Sequence, residues 1–217
     1  MKKAKQAIYY PVFLNLRNKK CVVVGGGAVS LRKVRALLEA GAEVQVISAA
    51  IRHELKELAG AEKISVLQRR YHAGDLDGAF LAVAATAEKA ANSRIARDAG
   101  KSGVLVNVVD DAGHSDFILP SYLRRGNLTI AISTAGASPA LARKIRSRLQ
   151  KEFGDEYTTL IDLVGKARRE MKERRIRISA ATWQKALDLD IILDLIKKGD
   201  KGKAMNLLLN DLRNGSK

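Results

Sequence analysis

Apolar residues fall along this chain in two rhythms, and the change from one to the other divides it. Cys21-Val22-Val23-Val24 is an unbroken apolar run that predicts a strand buried on both faces, and it leads straight into Gly25-Gly26-Gly27. From Ala28 to Ala40 the positions Leu31, Val34, Leu37 and Leu38 share one helical face, Arg32, Lys33 and Arg35 lie off it, and Gly41 supplies the stop. Val44-Gln45-Val46-Ile47 predicts a second strand, which completes a βαβ unit of about 30 residues. The alternation continues with a polar helix near Arg52 to Leu58, strands at Ile64 to Leu67 and Phe80 to Ala84, a helix at Lys89 to Ala99 and a strand at Val104 to Val108. Elements in this order specify a parallel sheet covered on both faces.

After Asp111 the pattern changes. Phe117-Ile118-Leu119-Pro120 and Leu128-Thr129-Ile130-Ala131-Ile132 flank the turn-like Arg124-Arg125-Gly126-Asn127, which predicts a strand pair. Ser138-Pro139 then starts a helix, serine at the N-cap and proline at the first helical position, with Leu141, Ile145, Leu149 and Phe153 four apart. Beyond Gly154 the spacing is helical throughout. Tyr157, Leu160, Ile161, Val164 and Met171 mark one helix, Trp183, Leu187, Ile191 and Leu195 a second, and Met205, Leu208, Leu209 and Leu212 a third.

Composition narrows the class. At 217 residues, 47% hydrophobic and 29% charged, the chain is long and apolar enough to bury a core, which excludes disordered and collagen-like polymers. The lone Cys21 permits no intrachain disulfide, so a reducing cytoplasm is expected. The basic start Met1 to Gln6 is followed by a short apolar stretch, Ile8 to Leu16, that lacks a cleavage site, and neither a signal peptide nor a membrane span of about 20 residues is expected. Lys and Arg outnumber Asp and Glu by 39 to 23, a net +16 that favours an acidic partner.

Candidate chemistry begins at the glycines. Gly25-x-Gly27-x-x-Ser30 follows a buried strand and opens a helix, the setting in which bare backbone and unpaired N–H groups meet a pyrophosphate. Contacts to a dinucleotide are therefore expected from Gly25, Gly26, Gly27, Ala28 and Val29. The acidic residue that usually reads the adenosine ribose about 20 residues on is replaced by Ile47-Ser48-Ala49-Ala50, so Ser48, Ala49 and Ala50 are expected to hold the ribose; NAD is the expected cofactor, its preference over NADP lacks the usual carboxylate, and Arg52 lies close by. Asp110 follows the last predicted parallel strand, where ligands of open α/β sheets bind, and its carboxylate suits a general base. His114 lies four residues later, placed to move a proton or hold a carboxylate. Ser133, Thr134 and Ser138 line a small-residue loop before a helix N-terminus, a cradle for a carboxylate. Asp110, Asp111 and His114 are not joined by His53 or His72, and no resident metal is expected.

Several ordered motifs then match one family. Tyr10-Pro11-Val12-Phe13-Leu14-Asn15-Leu16, Val22 to Val29 with its three glycines, Arg32-Lys33, Leu38-Glu39-Ala40-Gly41-Ala42, Val83-Ala84-Ala85-Thr86, Val106-Asn107-Val108-Val109-Asp110-Asp111, Asp116-Phe117-Ile118-Leu119-Pro120 and Ile132 to Arg143 resemble the dehydrogenase part of siroheme synthases, the precorrin-2 dehydrogenase family, from about Tyr10 to Leu149. The resemblance implies a homodimeric enzyme that oxidises precorrin-2 to sirohydrochlorin with NAD. Some relatives also insert ferrous iron into the product, and others only dehydrogenate. It implies the stand-alone form without the methyltransferase domain. It adds Ala84 and Thr86 to the cofactor contacts, places Asn107, Asp111, His114, Ser133, Thr134 and Ser138 on the substrate, and aligns Asp110 with the aspartate assigned catalysis. Precorrin-2 is a polyanion, which suits the basic runs Arg143, Lys144, Arg146, Arg148, Lys151 and Lys166, Arg168, Arg169, Lys172, Arg174, Arg175, Arg177.

The expected fold is α/β: a Rossmann-like parallel sheet domain at 1–113, a strand-pair and helix dimerisation segment at 114–153, and a small all-helical C-terminal domain at 154–217. Dimerisation has a physical companion, because a strand pair from Phe117 to Ile132 would leave apolar edges exposed on a monomer. Two other readings use the same sheet. An NAD-sensing regulatory module would turn its basic surface to nucleic acid or a partner protein, against which the tail shows no helix-turn-helix pattern and aromatics are only 5%. A pure ferrochelatase would keep the nucleotide fold as scaffold.

Overall fold

The computed structural model describes residues 8–215, so the basic start at Met1 to Gln6 lies outside the described residues. Five parallel strands, β1 (Lys20–Val24), β2 (Glu43–Ile47), β3 (Ile64–Leu67), β4 (Leu81–Ala84) and β5 (Leu105–Val108), form one sheet in the order β3-β2-β1-β4-β5. β1 is central, and its continuous apolar run follows from that position. Cys21 and Val23 face a cluster with Leu31, Val34 and Leu37 of α1 (Ala28–Glu39) and Leu55 of α2 (His53–Gly60). Val22 and Val24 face the other side, with Ile95 and Ala99 of α3 (Lys89–Ser102). Both faces are dry, so no polar alternation is tolerated.

β3 and β4 are joined by turns over residues 68–80 in place of a crossover helix. Tyr71 and Leu76 plug this connection into the α3-side core. Arg69 clamps it with two hydrogen bonds to Asp75, Nη2 to Oδ1 at 2.7 Å and Nη1 to Oδ2 at 2.8 Å, and the His72 N–H adds a third at 2.7 Å. The Arg69 hydrogen bonds hold the Asp75 carboxyl below its ordinary range. A carboxyl depressed in the folded state contributes stability that is present above its unfolded value of about 4 and is lost as pH falls through the depressed value. Asp75→Asn is therefore expected to lower stability by about 2 kcal/mol at neutral pH and to flatten the acid limb of a urea-midpoint against pH curve.

The chain separates into two compact units, Met1–Leu119 and Pro120–Lys217. The sequence reading closed the sheet domain at Gly113, but residues 114–119 stay with the sheet because they satisfy the free edge of β5. Val106 N–H donates to Asp116 Oδ2 and Asp116 N–H to the Val106 carbonyl, both at 2.8 Å, and Val108 N–H donates to Ser115 Oγ at 2.9 Å. The same contacts correct the predicted strand at Phe117 to Pro120. Phe117 packs toward the α1-side core with its carbonyl bonded to Asn107, and Pro120 has no N–H, so strand pairing starts only after it.

In the second unit β6 (Ser121–Arg125) and β7 (Leu128–Ile132) pair antiparallel, with Arg125 opposite Leu128. Gly126 takes φ +54° at the first central position of this two-residue turn, where a II′ hairpin needs glycine. α4 (Pro139–Glu152) lies on this pair, and Ser138 caps it by accepting from the Leu141 N–H at 3.1 Å, as the Ser-Pro signal predicts. α5 (Glu156–Glu173), α6 (Ala180–Ala186), α7 (Leu189–Lys197) and α8 (Lys201–Asn214) close a third core around Ala167, Met171, Ile192 and Leu208. The single helix predicted from Trp183 to Leu195 is two, because Asp188 accepts from the Ile191 N–H and starts a new helix whose buried residues are Ile192 and Ile196. Among the described residues no helix is long and apolar enough to cross a membrane.

Candidate functional site

The sheet order reverses direction between β1 and β4, and the crevice outside the carboxyl ends of strands at such a point is where α/β sheets take ligands. Gly25 to Gly27 leave β1 there, Ser48 to Ala50 leave β2, Ala85 and Thr86 leave β4 and Val109 to Asp111 leave β5. Backbone bonds carry the parallel ladder past the strand ends: Gly25 N–H to Ile47 at 2.9 Å, Ala85 N–H to Val24 at 2.8 Å and Val109 N–H to Ala84 at 2.9 Å. The four exits are thus held at one rim.

Two of the glycines are obligatory for the protein itself. Gly25 has φ +131° and a Cβ on it would sit 2.4 Å from the Ala85 carbonyl oxygen, while a Cβ on Gly26 would sit 1.9 Å from that of Ala50. Gly27 meets nothing within 4 Å, so its lack of a side chain leaves open space in front of the loop. Gly27 is also the N-cap of α1 and offers no side-chain cap, and the first turn holds no acidic residue. The N–H groups of Ala28, Val29 and Ser30 therefore face this space without an intrahelical partner, as an anion requires. Ser30, in the place of the third glycine, is fully buried against Gly25, and its hydroxyl finds no hydrogen-bond partner.

Thr86 is locked by Asn92 of α3: the Thr86 hydroxyl donates to Asn92 Oδ1 at 2.7 Å and Asn92 Nδ2 donates to the Thr86 carbonyl at 3.1 Å. At the β5 exit Asp110 is exposed and adopts φ +60°, a left-handed conformation that costs a non-glycine residue about 1 kcal/mol or more and is found where function fixes the backbone. Asp111 turns away into a short helical turn, where its carboxylate accepts from His114 Nδ1 at 2.7 Å and from the His114 N–H at 3.3 Å. That side-chain hydrogen bond holds the Asp111 carboxyl below its ordinary value. Asn107 is 8% exposed and donates its amide to the Phe117 carbonyl at 3.0 Å.

A sequence family described as "Putative NAD(P)-binding" matches residues 12–121, the whole of this sheet and its rim. The chain belongs to that family. A second family, described as sirohaem biosynthesis protein central, matches residues 125–152, the strand pair and α4. Among curated proteins the chain is similar to the siroheme synthase of Nitrosococcus oceani, 38% identical over 95% of this chain and 44% of the relative, and to that of Chromobacterium violaceum, 39% identical over 90% and 42%. It thus spans less than half the length of these relatives. Among solved structures it is similar to SirC, precorrin-2 dehydrogenase, with 25% identity, TM-score 0.70 and coverage of 95% of this chain and 100% of that one.

The residues of this NAD(P)-binding member fit a dinucleotide. The Gly26 cradle would be filled by any Cβ, the open face of Gly27 gives room for a pyrophosphate, and the uncapped α1 N-terminus supplies N–H donors. Lys33, which the sequence reading did not assign, belongs to the same rim. Burial and the charge of Arg32 push its ammonium below its ordinary value, while the Asp110 carboxylate acts in the opposite sense. Nor is Asn92 assigned from the sequence, although an asparagine one turn before Ile95 and two turns before Ala99, on the apolar face of α3, is a legible signal. Ser48 donates its hydroxyl to the Ala50 carbonyl at 2.8 Å, which leaves its oxygen to accept.

Ser133, Thr134 and Ser138 lie in the second unit, and the structure brings these three together. Ser133 Oγ accepts from the Ala135 N–H, Thr134 Oγ1 from the Ser138 N–H, both at 3.0 Å, and Ser138 Oγ caps α4. Ala135 at φ +49° and Gly136 at φ +85° complete a tight loop. Each hydroxyl serves the backbone as an acceptor and keeps its proton to donate.

Proposed function

We propose that this chain oxidises precorrin-2 to sirohydrochlorin, with NAD bound at the β1–β4 crevice. Asp110 carries the reading: an exposed carboxylate held at φ +60° on the same rim as the glycine loop, within electrostatic reach of a half-buried lysine. The substrate loses two hydrogens, one as hydride and one as proton. Bound NAD supplies the hydride acceptor. Asp110 accepts the proton released as the macrocycle becomes unsaturated. Gly25, Gly26, Gly27, Ala28 and Val29 hold the pyrophosphate, Ser48, Ala49 and Ala50 the ribose, and Ala84 with the Asn92-locked Thr86 the middle of the cofactor. Asn107, Asp111 and His114, the last two joined at 2.7 Å, are the proposed substrate contacts on this rim.

The substrate bears acetate and propionate arms. In the second unit none of Arg143, Lys144, Arg146, Arg148 or Lys151 is in an ion pair among the described residues, whereas Arg174 of the second basic run is tied to Glu170 at 3.0 Å. The other six residues of the second run are likewise outside any ion pair among the described residues, and the α4 run is proposed for the carboxylates because the Ser133, Thr134 and Ser138 hydroxyls stand before its first turn as donors. Iron insertion would be a second reaction with ferrous iron as substrate. Among the described residues no group of three His, Cys, Asp or Glu side chains is placed to hold a metal. Anaerobic incubation with precorrin-2 and NAD, followed by ferrous iron, separates the readings. Sirohydrochlorin absorbance before iron supports the dehydrogenase, change only after iron supports a chelatase, and salt-sensitive DNA binding without turnover supports a regulatory module.

A homodimer in the cytoplasm completes the proposal. The buried lone Cys21 suits a reducing compartment. Tyr122, Leu141 and Ile145, on β6 and α4, are 38%, 51% and 36% exposed, a set of large apolar side chains that a second copy would cover. Sedimentation is expected to give twice the 23.6 kDa chain mass, and Leu141→Glu with Ile145→Glu to give the single mass.

A further inference from the structure

The ribose end of the crevice lacks its usual reader. β2 ends at Ile47 and continues into Ser48-Ala49-Ala50, which carries no charge, where a carboxylate ordinarily selects the 2′-hydroxyl of NAD or an arginine nearby accepts the 2′-phosphate of NADP. A little further on, both groups are present and bound to each other. Arg52 Nε donates to Glu54 Oε2 at 3.2 Å and Nη2 to Oε1 at 3.1 Å, a two-pronged contact that takes up one edge of the guanidinium.

The backbone fixes this pair beside the cofactor loop. The Arg52 N–H donates to the Gly26 carbonyl at 3.0 Å, and the Ala50 carbonyl is the atom that any side chain on Gly26 would strike. Glu54 lies in the first turn of α2, where a helix N-terminus favours negative charge. The hydrogen bonds from Arg52, then its own backbone N–H and the Arg52 charge, hold the Glu54 carboxyl below its ordinary value. One edge of the Arg52 guanidinium is thus taken by the Glu54 carboxylate.

We infer that the Arg52–Glu54 pair is the element by which this chain discriminates NAD from NADP. Glu54 occupies the guanidinium that would receive a 2′-phosphate and sets a negative charge in that phosphate's way. An uncharged 2′-hydroxyl meets no such opposition. The side chains are 47% and 35% exposed, so the contact itself is weak in water, and selection comes from the charge of Glu54 and not from the strength of the pair. With that charge removed, the Arg52 guanidinium would be open to a phosphate.

The inference rests on the nucleotide reading above, and calorimetric titration of the full chain with NAD and with NADP tests the two separately. The unaltered chain is expected to bind NAD at least about tenfold more tightly, a difference of about 1.4 kcal/mol. Glu54→Gln is expected to close that gap by about tenfold or more through tighter NADP binding, with a smaller change for NAD, and adding Arg52→Ala to it to remove the gain. Equal affinities in the unaltered chain, an unchanged ratio in Glu54→Gln, or a gain that survives loss of Arg52 would each overturn the inference while leaving the nucleotide site standing. Binding of neither dinucleotide would overturn the site and the inference with it.

Discussion

Gly26→Ala is expected to abolish measurable NAD binding and to destabilise the chain by roughly 3 kcal/mol or more, the range of an overpacked or strained backbone site. The added methyl would stand 1.9 Å from the Ala50 carbonyl oxygen, and neither side can retreat easily. Gly26 itself accepts from the Arg52 N–H at 3.0 Å, and Ala50 accepts from Ser48 at 2.8 Å. Relief would therefore pull apart the loop on which the cofactor is proposed to lie. Gly27→Ala separates the two effects. Its methyl meets nothing within 4 Å and its φ of −88° suits any residue, so the fold should keep its stability within about 0.5 kcal/mol. Its NAD affinity should still fall about tenfold or more, because the methyl occupies space meant for phosphate. Urea denaturation and calorimetry on the two variants check both halves.

Asp110→Asn is expected to lower turnover of precorrin-2 about a hundredfold or more while leaving NAD affinity and stability nearly unchanged, since general-base groups commonly contribute factors of this size. Asparagine is the informative replacement. It keeps the shape and tolerates the φ of +60° seen at this position, whereas alanine would add backbone strain to the loss of charge. Full turnover by Asp110→Asn would remove Asp110 from the chemistry.

The parts of this molecule readable from sequence are those where one face decides the residue. β1 has cores on both sides, so its apolar run is unbroken and the glycines follow it at once. Ser138-Pro139 marks the start of α4 because capping is a local bond. Other features depend on partners distant in the chain. Phe117 to Leu119 is apolar enough for a strand, yet the edge of β5 claims the segment through Asp116 and Ser115. Trp183 to Leu195 has an unbroken helical period, but the Asp188 cap divides it and shifts the buried face to Ile192 and Ile196. At the site, the glycine loop and Asp110 lie in recognisable local contexts. Lys33 does not: its place off the apolar stripe of α1 reads as solvent until the β5 exit is seen beside it. Arg52 is legible as lying close to the ribose end of the cofactor, but its pairing with Glu54 is not, because two charges two residues apart in a polar stretch carry no sign of the contact between them.

We propose that one rim holds both a nicotinamide dinucleotide and the group that takes a proton from an acidic tetrapyrrole. Progress curves of NADH and sirohydrochlorin, recorded together without oxygen from the purified chain, precorrin-2 and NAD, test it most directly. The two products are expected to rise in equal amounts, and neither to form when NAD is withheld. Sirohydrochlorin formed at the same rate without NAD, or no sirohydrochlorin with both substrates present, would contradict it.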